Sequence, residues 1–247
     1  MKPKKIKVVG VIPARGGSSG VSNKNLRLFS GKPLIAWSIL SALESNLDRV
    51  IVCTNDLKIG KVAQKYGAEV ITEPHELALG TMGIEPVVRY VYEWLLKKEN
   101  YKADALALLM ATSPSRNKFH INDGIDIFKK SRADSVVGVN QTPANHTPYW
   151  TLIRSPKGKV TLFDGAPLKK ILTRRQDFPK KCYARNDLIY ILKPKNLYDK
   201  ERIDLYGAKV ELYETSTLYE MDINTPDEWS DAEIKFKRLL KNKKKPE

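Results

Sequence analysis

Residues 6–26 read Ile6-Lys7-Val8-Val9-Gly10-Val11-Ile12-Pro13-Ala14-Arg15-Gly16-Gly17-Ser18-Ser19-Gly20-Val21-Ser22-Asn23-Lys24-Asn25-Leu26. The first eight form an apolar run with the pattern of a buried strand, and glycine, hydroxyl and cationic groups crowd in immediately after it. A loop of that composition can wrap an anion. Glycines let backbone N–H groups converge on phosphate oxygens, while Arg15 and Lys24 supply charge for a polyphosphate. Two common phosphate motifs are excluded: Gly20 is followed by Val21 with Lys24 four places on, which breaks G-x-x-x-x-G-K-[ST], and Gly16-Gly17 with Gly20 lacks the first pair of G-x-G-x-x-G. The plain alternative is a surface turn with incidental charge.

Outward from this stretch, periodicity predicts a helix over 33–46, a strand over 49–54, a helix over 56–66 and an extended segment over 68–72. A helix over 85–98 places Val87, Val88, Val91, Trp94 and Leu95 on one face. A strand over 104–110, a helix over 120–131 and a strand over 134–140 follow. Alternation at this spacing predicts βαβ units, hence an α/β fold with a mostly parallel sheet and helices on both faces. After about Thr142 the rhythm changes. Residues 149–153 and 159–163 flank the turn signal Ser155-Pro156-Lys157-Gly158, which predicts a β-hairpin inserted at about 142–170. The β pattern returns at 188–192 and 208–213, and Pro226 opens a last helix whose N-terminus Asp227 and Glu228 suit. With no internal repeat and no linker, one domain over 1–247 is expected. Open sheets of this kind bind ligands beyond the carboxyl ends of their strands, which directs attention to the loops after Pro13, Thr54, Met110 and Glu220.

Of the 247 residues, 42% are hydrophobic and 29% charged, the balance of a globular chain with a sizeable core. The longest apolar run, 8–12, is far short of the roughly 20 residues that cross a bilayer. It is also too short for a secretory signal, so a cytoplasmic protein without a membrane partner is expected. Cys53 and Cys182 have no neighbours at metal spacing and read as reduced thiols. The net charge of +15 sits mostly at the ends: Lys2, Lys4, Lys5 and Lys7 at the start, and a basic tail at about 235–247. The interior excess is +5, which substrate phosphates account for, and no nucleic-acid partner is expected. Trp37 and Trp94 read as core, and the scattered His75, His120 and His146 are assigned no chemistry.

Six blocks carry a family resemblance. The segment 12–20 with Lys24-Asn25-Leu26 resembles IPARGGSKGIPxKNL, the opening signature of the acylneuraminate cytidylyltransferases (CMP-sialic acid synthetases). Val52-Cys53-Thr54-Asn55-Asp56 is similar to VSTDD, and Glu73-Pro74-His75-Glu76-Leu77-Ala78 to RPxELA. Leu108-Leu109-Met110-Ala111-Thr112-Ser113-Pro114 resembles LLQPTSP. Arg175-Gln176-Asp177-Phe178-Pro179 with Tyr183, Asn186 and Tyr190 resembles RQDxPxxYxxNGxxY. Met221-Asp222-Ile223-Asn224-Thr225-Pro226 resembles the metal-binding IDIDTPED stretch.

The resemblance implies a Rossmann-like fold of the nucleotide-diphospho-sugar transferase type and transfer of CMP from CTP to the anomeric hydroxyl of a 2-keto acid sugar, with release of pyrophosphate. It implies that Arg15 and Lys24 hold the triphosphate, that Gly16, Gly17 and Ser18 offer backbone donors, and that Ala14 and Asn25 lie along the nucleotide. Asp222, with Asn224, would bind Mg²⁺; Arg175 and Asn186 would lie toward the sugar. The hairpin would be a dimerisation arm, implying a homodimer. The chain departs from the pattern at Asn224 for an aspartate, Met110 for a glutamine, Asp187 for a glycine, and Leu79-Gly80-Thr81-Met82 for a more polar loop. These departures leave two other functions open, a non-catalytic nucleotide-binding protein and a nucleotidyltransferase with another sugar or NTP. Two residue readings also stay open. Thr112-Ser113-Pro114 either caps the next segment or contacts substrate, and Asp222 either binds metal or only marks the entry to the last helix.

Overall fold

In a computed structural model, which describes residues 6–17, 20–79, 83–199, 203–221, 223 and 225–242, the opening apolar run forms strand β1 (Val8–Pro13). A short ribbon of β2 (Leu28–Phe29) and β3 (Lys32–Pro33) leads into helix α1 (Leu34–Leu43). Then come β4 (Arg49–Thr54), α2 (Leu57–Lys65), β5 (Glu69–Thr72), the one-turn helix α3 (His75–Ala78), α4 (Glu85–Glu99) and β6 (Ala105–Leu108). The chain continues through α5 (Lys118–Ser131), β7 (Ser135–Gln141), β8 (Leu152–Arg154), β9 (Val160–Leu162), β10 (Tyr183–Leu192), β11 (Val210–Glu214) and α6 (Pro226–Asn242).

Seven strands form one sheet in the order β11-β7-β10-β6-β1-β4-β5. β1 pairs in parallel with β4 and β6, and β4 in parallel with β5, as the βα alternation requires. β10 runs antiparallel to β6, with Tyr190 opposite Leu108. The period-2 geometry of a strand sorts the core onto two faces. Val8, Ile12, Val50, Val52, Ala105 and Ala107 pack with Ile35 and Ile39 of α1 and Ile121 and Ile125 of α5. The alternate residues Val9 and Val11 are equally buried, and α4, which contacts β1, buries Val87, Val88, Val91 and Leu95. Tyr92 completes that face; Trp94, read as a member of it, is only half-buried. Each fully buried Leu or Ile contributes about 1.5–3 kcal/mol, so the two apolar faces account for the sheet as the rigid frame.

Element boundaries follow local chemistry. The helix expected from residue 33 starts after Pro33, whose ring fixes φ at −50° at the N-cap. Asp56 caps α2, its carboxylate accepting from the N–H groups of Lys58 and Ile59. β10 begins at Tyr183 rather than at the apolar Leu188; its first half is largely exposed and carries no hydrophobic period, so the pattern showed only the second half.

The chain divides into two compact units, Met1–Gly138 with Asn186–Glu247, and Val139–Arg185. The insertion read at about 142–170 falls in the second unit, where β8 and β9 pair antiparallel with Ile153 opposite Thr161. Among the described residues no helix is long and apolar enough to cross a membrane.

Candidate nucleotide site

β1 delivers Ala14 to the sheet's carboxyl edge, where its buried N–H donates to the Cys53 carbonyl at 2.9 Å. The Gly16 N–H then donates to Asn55 Oδ1 at 2.8 Å, so this group, read as a phosphate donor, is engaged by the end of β4. A Cβ at residue 16 would lie 3.1 Å from Asp56 Oδ2, the carboxylate that caps α2, which is why glycine stands there. Gly17 has φ +76°, a conformation that side chains rarely adopt, and among the described residues nothing stands within 4 Å of where a Cβ would be. Ser18 lies outside the described residues. Asn25 is buried; its Nδ2 donates to the Arg15 carbonyl at 3.3 Å and its own carbonyl accepts from the Ile35 N–H at 3.1 Å. The side chain expected along the nucleotide therefore braces the loop internally, while the residue's backbone carbonyl ties the loop to α1. Arg15 itself is exposed.

The loop is also tied to the far end of the chain. Lys24 Nζ donates to the Ile223 carbonyl at 2.6 Å. Val21, Phe29 and Leu34 share a core cluster with Met221, Ile223, Trp229, Ala232 and Phe236. Phe29 meets Trp229 edge-on at 5.4 Å, and the Arg27 guanidinium lies 4.8 Å from the Trp229 ring. Asp222 and Asn224 lie outside the described residues, but both neighbours of Asp222 are buried beside the glycine loop. The cap of α6 is made by others: the Thr225 N–H donates to Glu228 Oε2 at 2.8 Å and the Glu228 N–H to Thr225 Oγ1 at 3.2 Å. The helix-entry duty that a carboxylate at 222 could serve is thus already performed. Among the described residues no group of three or more His, Cys, Asp or Glu is placed to hold a metal.

The segment after β6 is structural at two of its hydroxyls. Ser113 Oγ donates to the Asp187 carbonyl at 2.9 Å, and Ser115 Oγ to the Tyr219 carbonyl. Arg116, which sequence reasoning missed, is fully buried. Its Nε donates to the Leu188 carbonyl, Nη1 to Ser38 Oγ at 3.1 Å, and Nη2 to the carbonyls of Met110 at 2.8 Å and Asp187 at 3.1 Å. Burial lowers the guanidinium's pKa to about 9. Asn186, read as a sugar contact, is buried, with Nδ2 donating to Thr215 Oγ1 at 2.8 Å and Oδ1 accepting from the Leu188 N–H at 3.2 Å. Glu73, quoted in a family block but given no role, is the other group missed. Burial pushes its carboxyl above the usual range and the Arg15 charge partly offsets this. A lone polar residue in such a stretch becomes conspicuous only once its burial is known.

In the second unit, Arg175 opens a 3-10 turn (Arg175–Asp177) and is exposed. With Gln141, Thr142, Lys180, Lys181 and Cys182 it lines a cleft of about 580 Å³. Its neighbour Arg174 pairs with Asp177 at 2.9 Å. This unit holds ten Lys and Arg against Asp164 and Asp177. The interior charge, read as an ordinary excess, is therefore concentrated here.

A model of the family described as cytidylyltransferase matches residues 9–244. N-acylneuraminate cytidylyltransferase A of Danio rerio is 30% identical over 246 residues, covering 97% of this chain and 53% of the relative, so the chain spans about half of that protein. CMP-N,N'-diacetyllegionaminic acid synthase of Legionella pneumophila is 32% identical over 237 residues, covering 91% and 94% of the two chains. Among solved structures, a CMP:2-keto-3-deoxy-manno-octonic acid synthetase complexed with CTP superposes with a TM-score of 0.70 at 18% identity, covering 95% of this chain and 100% of the other. This last likeness confirms the fold.

Proposed function

Because the chain belongs to the cytidylyltransferase family, we propose that it transfers CMP from CTP to the anomeric hydroxyl of a 2-keto acid sugar of the nonulosonic class. Two of the proteins it resembles are named for CMP transfer to such acids. The observation that carries the reading is the 2.6 Å bond from Lys24 Nζ to the Ile223 carbonyl, which joins the glycine loop to the strip bearing Asp222 and Asn224.

In this reading Arg15 and Lys24 take the triphosphate's charge. The bond to the Ile223 carbonyl fixes where the Lys24 ammonium stands. The sugar hydroxyl attacks the α-phosphorus in line. Its oxygen forms the new bond as the bond to the bridging oxygen breaks, the electron pair leaves with pyrophosphate, and the hydroxyl proton passes to water. Positioning and charge neutralisation supply the rate. Arg175 is assigned to the sugar carboxylate.

Magnesium is assigned to Asp222 and Asn224. The residues that flank Asp222, Met221 and Ile223, are buried beside the glycine loop, which supports this assignment. One carboxylate and one amide oxygen are hard donors that suit this ion but are few, so phosphate oxygens and water would supply most of roughly six positions. Bound there, the ion would neutralise phosphate charge. A homodimer is supported by the second unit, which exposes Leu152 at 49%, Ile153 at 44% and Phe163 at 60%.

The test is pyrophosphate release from each of the four NTPs with magnesium and a panel of 2-keto acid sugars. Turnover with CTP and a nonulosonic acid is expected; no turnover above background with any pair overturns the assignment.

A further inference from the structure

The chain enters Met221 through a 3-10 turn (Thr217–Tyr219) that side chains grip from two directions. Ser115 Oγ, from the segment after β6, donates to the Tyr219 carbonyl. From α6, Lys235 Nζ donates to the Thr217 carbonyl at 2.9 Å and to the Glu220 carbonyl at 2.7 Å. This lysine is unlike its helical neighbour Lys237, which pairs with the Glu233 carboxylate at 3.4 Å in the manner of a surface ion pair. Lys235 is half-buried, and burial lowers its pKa while the Glu220 charge partly offsets the effect. An ammonium drawn out of water is costly unless its donors are used. Here two of the three go to main-chain carbonyls of one turn.

Along the chain, residues 220–223 are therefore held at both ends by ammonium groups, Glu220 by Lys235 and Ile223 by Lys24. Met221 and Ile223 are buried within that span, and Asp222 lies between them in sequence. A short stretch of backbone anchored at one end can pivot about it. Anchored at both, it presents its side chains from one place.

We propose that Lys235 is a positioning residue: by closing the turn from Thr217 to Glu220 it fixes, together with Lys24, the stretch that carries Asp222, and so sets how tightly that stretch takes a divalent cation. The inference rests on the assignment of magnesium to Asp222 above and adds the residue that prepares the backbone for it. Groups that orient a metal's ligands typically cost about 10–100-fold in metal affinity when removed.

Calorimetry of CTP binding with and without Mg²⁺ tests this on the wild type, Lys235→Met, Lys235→Arg and Asp222→Ala. The wild type is expected to bind CTP more tightly with the ion. Lys235→Met should lose about tenfold or more of that gain, with its metal-free affinity for CTP unchanged within error. A merely structural role would weaken binding equally with and without the ion, and that result overturns the proposal, as does a gain equal to the wild type's. Lys235→Arg keeps donors for the two carbonyls and should retain most of the gain; a loss as large as that of the methionine variant also overturns the proposal. If Lys235→Met does not fold, Lys235→Gln is read by the same criteria. A wild type without any gain, or a gain that survives in Asp222→Ala, overturns the magnesium assignment instead, which keeps the two failures apart.

Discussion

The glycine loop from Ala14 to Asn25 and the unit Val139–Arg185 both gather cations, but they hold them differently. In the loop, Ala14, Gly16, Lys24 and Asn25 are each fixed to a named partner in β4 or just after it, the Ile223 strip or the loop's own backbone. In the second unit, Arg175 stands exposed on a single helical turn, and apolar residues such as Phe163 face outward beside the lysines. The difference separates two ways of presenting charge. The loop is held in place by these bonds, the arrangement that the proposed charge stabilisation of a transferring phosphoryl group would need, whereas the unit carries its charge on an open surface.

Lys24→Ala probes the fixed side of that contrast hardest. Turnover should fall about 10²–10³-fold, with a stability loss of about 2 kcal/mol from the broken bond to Ile223, read by pyrophosphate release and urea unfolding. A near wild-type rate would remove Lys24 from the phosphate site. Next in size, Arg116→Met should cost about 3 kcal/mol in the same unfolding assay, because the carbonyls of Leu188, Met110 and Asp187 lose their donor. Gly17→Ala meets no neighbour among the described residues but must adopt a positive φ, so a loss of about 1–2 kcal/mol is expected, together with a raised KM for CTP. A KM unchanged within error would show that the backbone there does not face the nucleotide. On the open side, Arg175→Ala should leave stability within about 0.5 kcal/mol. It should raise KM for the sugar alone, and a shift in KM for CTP instead would erase the contrast.

The same contrast explains what could be read in advance. β1, β4, β6 and the helices between them were legible because burial on both faces writes long apolar periods, as in Val8–Pro13 and Arg49–Thr54. The hairpin was visible through Pro156 and Gly158 although its strands are only three residues long. The β2–β3 ribbon and the one-turn α3 escaped because two to four residues hold no period. In the site, the glycines and Lys24 announced themselves by type and spacing. Asn25 did so too, though what it does in the fold is brace the loop. Arg116 and Glu73 did not, since what makes each unusual is burial, a property of the whole fold. Neither did the concentration of charge in Val139–Arg185, which emerges only when the chain is divided into its compact units.

The contact between Lys24 and Ile223 spans 199 positions of sequence. During synthesis the sheet strands from β1 to β10 are available long before α6 leaves the ribosome. The glycine loop therefore acquires this anchor, and the packing of Phe29 against Trp229 and Phe236, only after the strands from β1 to β10 have been made. A nascent chain stopped before residue 221 would own most of the sheet's core yet hold the glycine loop without the bond to Ile223 and the aromatic packing that brace it.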